Sequence, residues 1–422
     1  MQHPMRMYKK LLTLVVLFTT LSLPVQALEI PTIPTEFALH GAGYGHGVGM
    51  SQMGARAMAL AGQNSEQILK YFYKNVEIET RDDTQILRVN IGHLLSNMKI
   101  STSSNEASVQ LFTGEIGDQV DVTPVAVITG KAALNFSVLG VNVLPSATIA
   151  KKTSNYAKSR SFTIRWSGTR YLDGVDTFIS VNHSGATRKY RYGQIQVRSV
   201  KDKALGYRLE VTNSVRLSDE YLWGVSEMPS FWPTAALEAQ AIASRSYALS
   251  KAGNYRSACN CDIYGEISDQ VFLGYAKEIE PKYGTMWKTA VTRTSGLTIT
   301  QAGAPISAYF FSSSGGKTEL AVNAWGSERG FTQIVEDPGS LDLVLNPRFV
   351  SWNRTISQAI VATAFVLPDV VTLEVISRNE SGTVGEILAT SSTGIQRALR
   401  GETFRSRTKI PSAYFDLVDV QN

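Results

Sequence analysis

Residues 217–229 (LSDEYLWGVSEMP) and residues 236–247 (ALEAQAIASRSY) decide the expected fold. The first stretch predicts a short helix over 218–226, which Pro229 ends because proline cannot continue a helix. The second lies in a run rich in alanine and leucine, which predicts a long helix over 234–252. Both stretches therefore predict helical structure in the C-terminal half of the chain.

Helical patterns also occur near the start of the chain. Residues 50–61 are rich in alanine and methionine and predict a helix that Gly62 ends. Asn64 and Gln67 resemble a capping box, which would open a second helix over 65–74. A loop before these helices contains alternating glycines, which permit positive φ angles and a close approach of the backbone. These glycines are Gly41, Gly43, Gly45, Gly47 and Gly49.

Residues 84–215 have a different sequence pattern. Short alternating or β-branched runs are separated by glycine, asparagine, aspartate and serine, which is typical of strands joined by turns. We expect a sandwich or a barrel-like block here. The predicted fold class is therefore α+β, with a strand-rich block between helical segments.

The composition is that of a globular protein. The chain has 422 residues, enough for two or three domains, and is 43% hydrophobic and 18% charged, which excludes a disordered, collagen-like or many-helix membrane protein. Its net charge of +5 includes three basic residues at the extreme N-terminus, namely Arg6, Lys9 and Lys10. The rest is almost neutral, so a nucleic-acid-binding surface is not expected.

Residues 1–27 have the order of a secretory signal: basic residues, an apolar run over 11–23, and a small-residue end at Ala27. The run is shorter than the ~20 residues that a transmembrane helix needs. We expect an exported protein with no membrane span after signal removal, and an uncleaved membrane anchor is the alternative. Outside the cytoplasmic membrane neither ATP nor NAD is supplied, which argues against kinases and dehydrogenases.

Glu227 is the first candidate for chemistry, since it ends a predicted helix and has Trp223, Phe231 and Trp232 nearby in sequence. A carboxyl group beside aromatic surface is desolvated, which raises its pKa. A carboxylic acid with a raised pKa can protonate a glycosidic oxygen. The alternative is a solvated glutamate at a helix end.

Arg245 lies seven residues after Glu238, so the two side chains fall on nearly the same face of the predicted long helix. A guanidinium group in a cleft could hold a carboxylate or an acetamido oxygen. A structural salt bridge is the competing interpretation.

Two glycine-containing loops do not match known nucleotide or hydrolase motifs. His46 lies in the first loop, where the Gly-x-Gly-x-x-Gly register fails. It could bind substrate, orient a carboxylate or pack in the interior. Residues 312–316 (SSSGG) lack the Gly-x-Ser-x-Gly elbow of serine hydrolases, and we expect a hydrogen-bonding loop that lines a polar groove.

Cys259 and Cys261 are separated by one residue. Zinc sites use four ligands at wider spacing, and no histidine follows His183 in the chain. A short-loop disulfide or two free thiols is therefore favoured over a metal site, and no cofactor is expected.

Five segments together resemble the SpoIID/LytB family, which comprises stage II sporulation protein D and the amidase enhancers. Each motif alone is modest, but the set is specific and covers most of the mature chain. The segments are 217–229, 236–247, 269–274 (DQVFLG), 311–318 (FSSSGGKT) and 45–52 (GHGVGMSQ).

The resemblance implies a SpoIID-like catalytic domain that acts on peptidoglycan glycan strands. Sporulation members are lytic transglycosylases, which would make Glu227 the catalytic acid between N-acetylmuramic acid and N-acetylglucosamine. The alternative is a non-catalytic binding module that enhances a cell-wall amidase, and a third reading is a true hydrolase. Residues carried over as substrate contacts are Arg245, His46, Gln52, Gln270 and Ser313.

The order of the motifs differs from that of the family. The G-H-G-V-G-M-S-Q segment normally closes the domain, whereas here it opens the mature chain. We infer a circular permutation in which residues 35–80 complete a catalytic core over 216–422, so the two ends of the mature chain should lie close together. Zinc-binding members use a His and Cys set in this region, of which only the two cysteines remain.

Overall fold

The computed structural model describes residues 32–418, and the predicted signal segment, residues 1–27, lies outside the described residues. The structure is a mixed α+β fold with several sheets, in agreement with the predicted class. Among residues 32–418, no helix combines the length and apolar character that crossing a bilayer would require. The α-helices are α1 (Gln52–Leu60), α2 (Ser65–Phe72), α3 (Thr234–Lys251), α4 (Tyr275–Glu278), α5 (Gly284–Arg293), α6 (Ala321–Trp325), α7 (Gln358–Phe365) and α8 (Gly401–Thr408).

The strands fall into a dense middle group and shorter groups on either side. The strands before and within the middle group are β1 (Glu36–Gly41), β2 (Met50–Ser51), β3 (Glu77–Thr80), β4 (Ile86–Leu95), β5 (Asn97–Thr102), β6 (Ser108–Thr113), β7 (Ala126–Thr129), β8 (Ala132–Leu139), β9 (Asn142–Ile149), β10 (Lys152–Asn155), β11 (Ser161–Trp166), β12 (Ile179–His183), β13 (Ala186–Tyr190), β14 (Gln194–Asp202) and β15 (Gly206–Arg216). The later strands are β16 (Ile263–Tyr264), β17 (Leu297–Gln301), β18 (Ala304–Pro305), β19 (Phe310–Phe311), β20 (Trp352–Ser357), β21 (Thr372–Arg378), β22 (Val384–Thr390), β23 (Gln396–Arg400) and β24 (Phe415–Val418).

The predicted strand-rich block is a two-layer sandwich. One sheet has seven strands in the order β16-β4-β15-β14-β11-β6-β7, and the other has six in the order β10-β9-β8-β5-β12-β13. Apolar side chains of both layers, among them Phe136 and Ile164, are fully buried in one shared core. The period-two alternation of apolar residues produces this arrangement, because alternate side chains of a strand point to the same face.

The long helix predicted over 234–252 is present as α3. Its many alanines and serines leave little side-chain bulk, so α1, α2 and α5 pack closely around it. The predicted short helix over 218–226 is not α-helical, because Leu217–Tyr221 forms a π-helical turn and Leu222–Gly224 a 3-10 turn. The π-helical turn is wider than an α-helical turn and the 3-10 turn is tighter. The backbone that follows them is extended at Val225.

The two ends of the described chain pair with each other. β1 lies antiparallel to β24, with Ala38 opposite Val418, and antiparallel to β20 on its other side. The expected closeness of the ends is therefore confirmed. β2 also pairs with β19 and β3 with β17, so residues 36–80 are built into sheets formed by the C-terminal half.

The stretch predicted as one core, 216–422, contributes to three separate apolar clusters. Residues from 352 onward, together with Leu39 of β1, form a second cluster that includes Val361, Phe404 and Phe415. This second cluster forms because the apolar faces of α7 and α8 pack against each other and against the sheets β20-β1-β24 and β21-β22-β23.

Candidate functional site

The backbone around Glu227 is fixed by pairing with the second motif segment. The N–H of Ser226 donates to the carbonyl of Val271 at 2.8 Å, and the N–H of Leu273 donates to the carbonyl of Gly224 at 2.8 Å. Two stretches that are about fifty residues apart therefore run side by side, and Glu227 lies where they meet.

The carboxyl group of Glu227 has one anchored oxygen. Its Oε1 accepts a hydrogen bond from the backbone N–H of Val271 at 2.6 Å, and no other hydrogen bond to this carboxyl group occurs among residues 32–418. Burial raises the pKa of Glu227 from 4.5 to about 7, although the Val271 hydrogen bond works in the opposite direction. At neutral pH this group can therefore both donate and accept a proton.

Glu227 lies at the wall of a cavity of about 780 Å³. Three parts of the chain line this cavity: residues 187–189 of β13, residues 226–229, and residues 273–281 around α4. The strand-rich sandwich thus contributes one wall, and the helical part that carries the motifs contributes the other two.

The side of Glu227 that faces the cavity has aliphatic neighbours. Trp223, Phe231 and Trp232 are all near in sequence, but none of them lines the cavity. The predicted direction of the pKa shift agrees with the burial of Glu227. The apolar lining consists of Met228, Pro229, Leu273, Ala276, Ile279 and Pro281.

Two cations of the sandwich line the same cavity. Arg188 pairs with Glu266 at 2.8 Å. Lys189 is exposed, and within residues 32–418 no carboxylate lies within salt-bridge distance of its Nζ. Sequence reasoning missed both residues, because β13 is a short polar strand without a motif. Arg188 is neutralised by Glu266, so Lys189, whose Nζ lies 4.9 Å from the ring centroid of Phe178, is the cation of this wall that is available to an anionic group.

Lys277 and Glu280 hold the loop that follows Glu227. The Nζ of Lys277 donates to the carbonyl of Met228 at 2.8 Å and to Oε2 of Glu280 at 3.1 Å. Partial burial would raise the pKa of Glu280, but hydrogen bonds from Ser230 and Lys277 outweigh it and lower the pKa. The two carboxyl groups of the cavity therefore differ, since one favours its protonated form and the other its ionised form.

Gln52 joins three parts of the structure behind Glu227. Its Nε2 donates to the backbone carbonyl of Glu227 at 3.1 Å and to Oε1 of Gln240 at 3.2 Å. Gln240 in turn donates to the hydroxyl of Ser244 at 3.0 Å. Gln52 is buried and does not line the cavity, so it positions the Glu227 backbone rather than contacting a ligand there.

Gln270 lies in a buried polar layer next to Glu227. Its Oε1 accepts a hydrogen bond from the hydroxyl of Tyr221 at 2.8 Å, and the adjacent Asp269 accepts one from Tyr247 at 2.7 Å. Gln270 is completely buried and is absent from the cavity lining. Its Nε2 finds no hydrogen-bond partner among residues 32–418.

Arg245 is a structural residue in this fold. It is completely buried, and its Nε donates to Oδ2 of Asp83 at 2.7 Å. The guanidinium group also donates to the carbonyls of Val291 and Leu297. The expected groove contact is therefore corrected to a buried ion pair. The expected neighbour on its helix, Glu238, instead lies 4.0 Å from Arg293.

His46 lies in an aromatic cluster and not at the Glu227 cavity. Its ring centroid is 5.0 Å from that of Trp325 and 5.8 Å from that of Phe311, and its Nδ1 accepts a hydrogen bond from the N–H of Val48. Burial, with the nearby positive charge of Arg405, lowers the pKa of His46 to about 3. A neutral packing histidine replaces the expected substrate contact.

Ser313 is also buried away from the cavity. Its backbone N–H and carbonyl are both hydrogen-bonded to Tyr44, at 3.1 and 2.7 Å. Its hydroxyl has no partner among the described residues, and it does not line the cavity. The loop 312–316 therefore packs against the glycine-rich loop. Gly49 of that loop has φ +82, and a side chain there would collide with the carbonyl of Tyr309.

Cys259 and Cys261 form a disulfide, one of the two states favoured from the sequence. Both sulfur atoms are thereby unable to act as thiolate ligands. Within residues 32–418 no group of three His, Cys, Asp or Glu side chains is placed to hold a metal ion. The residues present therefore do not fit the His and Cys zinc set of the resembled family.

Comparisons with known proteins support the resemblance over part of the chain. Residues 206–301 match the family model described as SpoIID, Stage II sporulation protein. The stage II sporulation protein D of Bacillus subtilis (strain 168) is 34% identical over 132 residues, which are 28% of this chain and 38% of that protein. The amidase enhancer of the same organism is 28% identical over 133 residues, which are 32% of this chain and 16% of that protein.

The chain spans less than two fifths of the length of either curated relative. The matched family segment contains Glu227 and both paired stretches around it. The predicted resemblance to the SpoIID family is thus confirmed for residues 206–301.

Proposed function

We propose that this protein acts on the bacterial cell wall and cleaves peptidoglycan glycan strands as a lytic transglycosylase. The observation that carries the proposal is Glu227, whose pKa is raised to about 7 at the wall of a cavity of about 780 Å³. The similarity to stage II sporulation protein D and to the amidase enhancer supports a role in the wall. Such a role implies export, in line with the signal predicted over residues 1–27.

The chemistry needs a single carboxyl group. Glu227 would protonate the glycosidic oxygen between N-acetylmuramic acid and N-acetylglucosamine while the bond from that oxygen to C1 breaks. The C6 hydroxyl of the muramic acid residue would attack C1, and the Glu227 carboxylate would take the hydroxyl proton. The product is a 1,6-anhydro end, no water is consumed, and Glu227 is protonated again.

The lining of the cavity suits a glycan strand. Aliphatic side chains such as Met228 and Leu273 offer surface for the C–H faces of sugar rings. Arg188 and Lys189 line the same space, and Lys189, which has no carboxylate within salt-bridge distance among residues 32–418, suits the lactyl carboxylate that a muramic acid residue exposes when it bears no stem peptide. Gln52 and Val271 would keep Glu227 in place during the reaction.

The state of Glu280 favours the transglycosylase over a hydrolase. A hydrolytic glycosidase usually needs a second carboxylate that acts on water or on C1. Glu280 is the other carboxyl group of this cavity, but its Oε2 is engaged by Ser230 and Lys277. Its role is therefore to hold the loop after Glu227.

A second candidate is a non-catalytic glycan-binding module that enhances a wall amidase, a reading favoured by the match to the amidase enhancer. In that case the cavity binds the glycan strand, and Glu227 is a binding or structural residue that transfers no proton. An amidase partner is proposed only under this second candidate function.

The two candidates are separated by digestion of purified glycan strands without any amidase. Wild-type protein and Glu227→Gln are compared on bare and peptide-bearing strands, with and without a chelator, and products are read by mass spectrometry. The transglycosylase predicts anhydro-ended products from the wild type alone. Retention on the strands without products from either protein would favour the enhancer.

A further inference from the structure

A second cavity, of about 440 Å³, lies on the sandwich and shares no residue with the Glu227 cavity. It is formed where the end of β4, the end of β14 and the loop of the Cys259–Cys261 disulfide meet. Polar residues predominate in its lining, which consists of His93, Leu94, Arg160, Arg198, Val200, Lys201, Asp202, Ser257, Ala258 and Tyr264.

His93 is held at the wall of this cavity by a buried carboxylate. Its Nδ1 lies 2.9 Å from Oε1 of Glu210, a residue whose side chain has no solvent exposure. The ring of Tyr264 packs edge-on against the His93 ring, with centroids 5.4 Å apart. Because Nδ1 faces Glu210, Nε2 is the ring nitrogen left for a ligand, and no residue of the described chain hydrogen-bonds to it.

The backbone departs from regular geometry to build this pair. The ladder between β15 and β4 has a register shift between Leu209 and Val211, which directs Glu210 toward His93. Leu94 adopts φ +51, and its N–H donates to Oε1 of Glu210 at 3.0 Å. A left-handed non-glycine residue is strained, and such strain concentrates at functional sites.

Asn90 ties the buried carboxylate to the disulfide loop. Its Nδ2 donates to Oε2 of Glu210 at 2.7 Å and to the carbonyl of Cys259 at 3.0 Å. The imidazole, the carboxylate and the loop therefore form one rigid unit. Rigid support of this kind is what a ligand site needs, because it removes the cost of ordering the binding groups.

The charges around the cavity are predominantly positive. Arg160 and Lys201 are exposed, and no carboxylate among the described residues lies within salt-bridge distance of either. Arg198 lies farther in, 3.4 Å from Glu115. The one acid of the lining, Asp202, uses its Oδ1 to accept hydrogen bonds from the backbone of the following turn.

We propose that this cavity binds a phosphate group, as a phosphomonoester or phosphodiester. Arg198 and Lys201 of β14, Arg160 of the loop before β11 and one imidazole nitrogen offer donors from different directions, which suits the tetrahedral oxygens of phosphate. A metal ion would be repelled by Arg160, Arg198 and Lys201. The site would fasten the protein to phosphate-bearing material outside the membrane, independently of what Glu227 does.

Isothermal titration calorimetry with inorganic phosphate at low salt tests the site directly. Wild-type protein is compared with Arg160→Ala, Lys201→Ala and their combination, and with Lys152→Ala, an exposed lysine of β10 outside the cavity, as matched control. The double variant should bind phosphate about tenfold or more weakly, since two of the cations are lost. The Lys152 variant should bind like the wild type.

Nuclear magnetic resonance of the histidine rings gives a second readout, because the chain has five histidines. Phosphate should shift the Nε2 signal of His93 and leave that of His183 unchanged. Glycerol phosphodiester oligomers and vesicles of phosphatidylglycerol, run as separate arms, identify whether a soluble polymer or a lipid headgroup supplies the phosphate. Both variants change exposed side chains, so thermal unfolding should be unaltered and loss of binding is not a loss of folding.

Three results would overturn the proposal. The first is no phosphate binding by the wild type. The second is equal binding by the wild type and the Arg160→Ala/Lys201→Ala variant, which would place the anion elsewhere. The third is stronger binding of acetate than of phosphate, which would assign the cavity to a carboxylate.

Discussion

The carboxyl group of Glu227 accepts a hydrogen bond from the backbone N–H of Val271 at 2.6 Å, while burial raises its pKa to about 7. The hydrogen bond fixes the direction of the side chain, and the burial keeps it protonated near neutral pH. These two effects together make Glu227 a proton donor that is held in one orientation.

The raised pKa predicts a pH-dependent effect of Glu227→Gln on stability. The folded-state pKa of about 7 lies above the unfolded value of 4.5, so the protonated carboxyl group contributes stability below pH 4.5 that is lost as pH rises through 7. The full difference corresponds to about 3 kcal/mol. Glutamine keeps the acceptor for Val271 and cannot ionise, so the variant should gain stability relative to the wild type between about pH 5 and about pH 8.

Denaturant unfolding at about pH 5 and at about pH 8 measures the difference in stability between Glu227→Gln and the wild type. The exposed Glu106→Gln is the control. A constant difference between Glu227→Gln and wild type across this range would mean that Glu227 titrates like an ordinary surface glutamate.

Glu280→Gln should retain most of the glycan-cleaving activity. The proposed reaction uses one carboxyl group, and a glutamine oxygen can still accept from Ser230 and Lys277. We expect kcat within about threefold of the wild type, as for loss of a partly exposed ion pair. The measurement is the initial rate of product release from bare glycan strands. A loss as large as that of Glu227→Gln would instead indicate a two-carboxylate hydrolase.

Lys189→Ala should weaken substrate binding without slowing the chemical step. This residue lines the cavity from β13, its Nζ lies 4.9 Å from the ring centroid of Phe178, and it has no carboxylate partner among residues 32–418. We expect KM to rise about threefold to tenfold with little change in kcat. Lys152→Ala, on the outer strand β10, is the matched control, and steady-state kinetics on bare strands give both constants. An unchanged KM would indicate that this wall of the sandwich does not contact the substrate.

Arg245→Met should destabilise the fold strongly. It leaves the buried Asp83 without its partner, and breaking a buried ion pair costs about 3–5 kcal/mol. Arg293→Met, which breaks a contact of 4.0 Å at an exposed arginine, should change stability by less than about 1 kcal/mol. Denaturant unfolding of both variants is the measurement. Normal stability of Arg245→Met with loss of glycan binding would restore Arg245 as a ligand contact.

The elements that follow strong local patterns were predictable from the sequence. The capping box at Asn64 and Gln67 opens α2 as expected, and the alanine-rich run forms α3. The strand-rich texture of 84–215 becomes the sandwich. Local propensity and periodicity determine these features, because they depend on residues that are close in sequence.

Whether Arg245 faces the interior or a groove could not be predicted from the sequence of α3. Small residues occur on all sides of this helix, so no single apolar stripe identifies its buried face. The partner, Asp83, comes from a distant loop that no local pattern links to the helix. The cations of β13 were missed for a similar reason, since only the packing of the sandwich beside α4 brings them to Glu227.

Digestion of bare glycan strands in heavy-oxygen water tests the central claim most directly. If Glu227 alone moves the proton and the C6 hydroxyl attacks C1, wild-type protein will release 1,6-anhydro ends that contain no heavy oxygen, and Glu227→Gln will release none. Reducing ends that carry heavy oxygen, or anhydro ends produced equally by Glu227→Gln, would contradict the account.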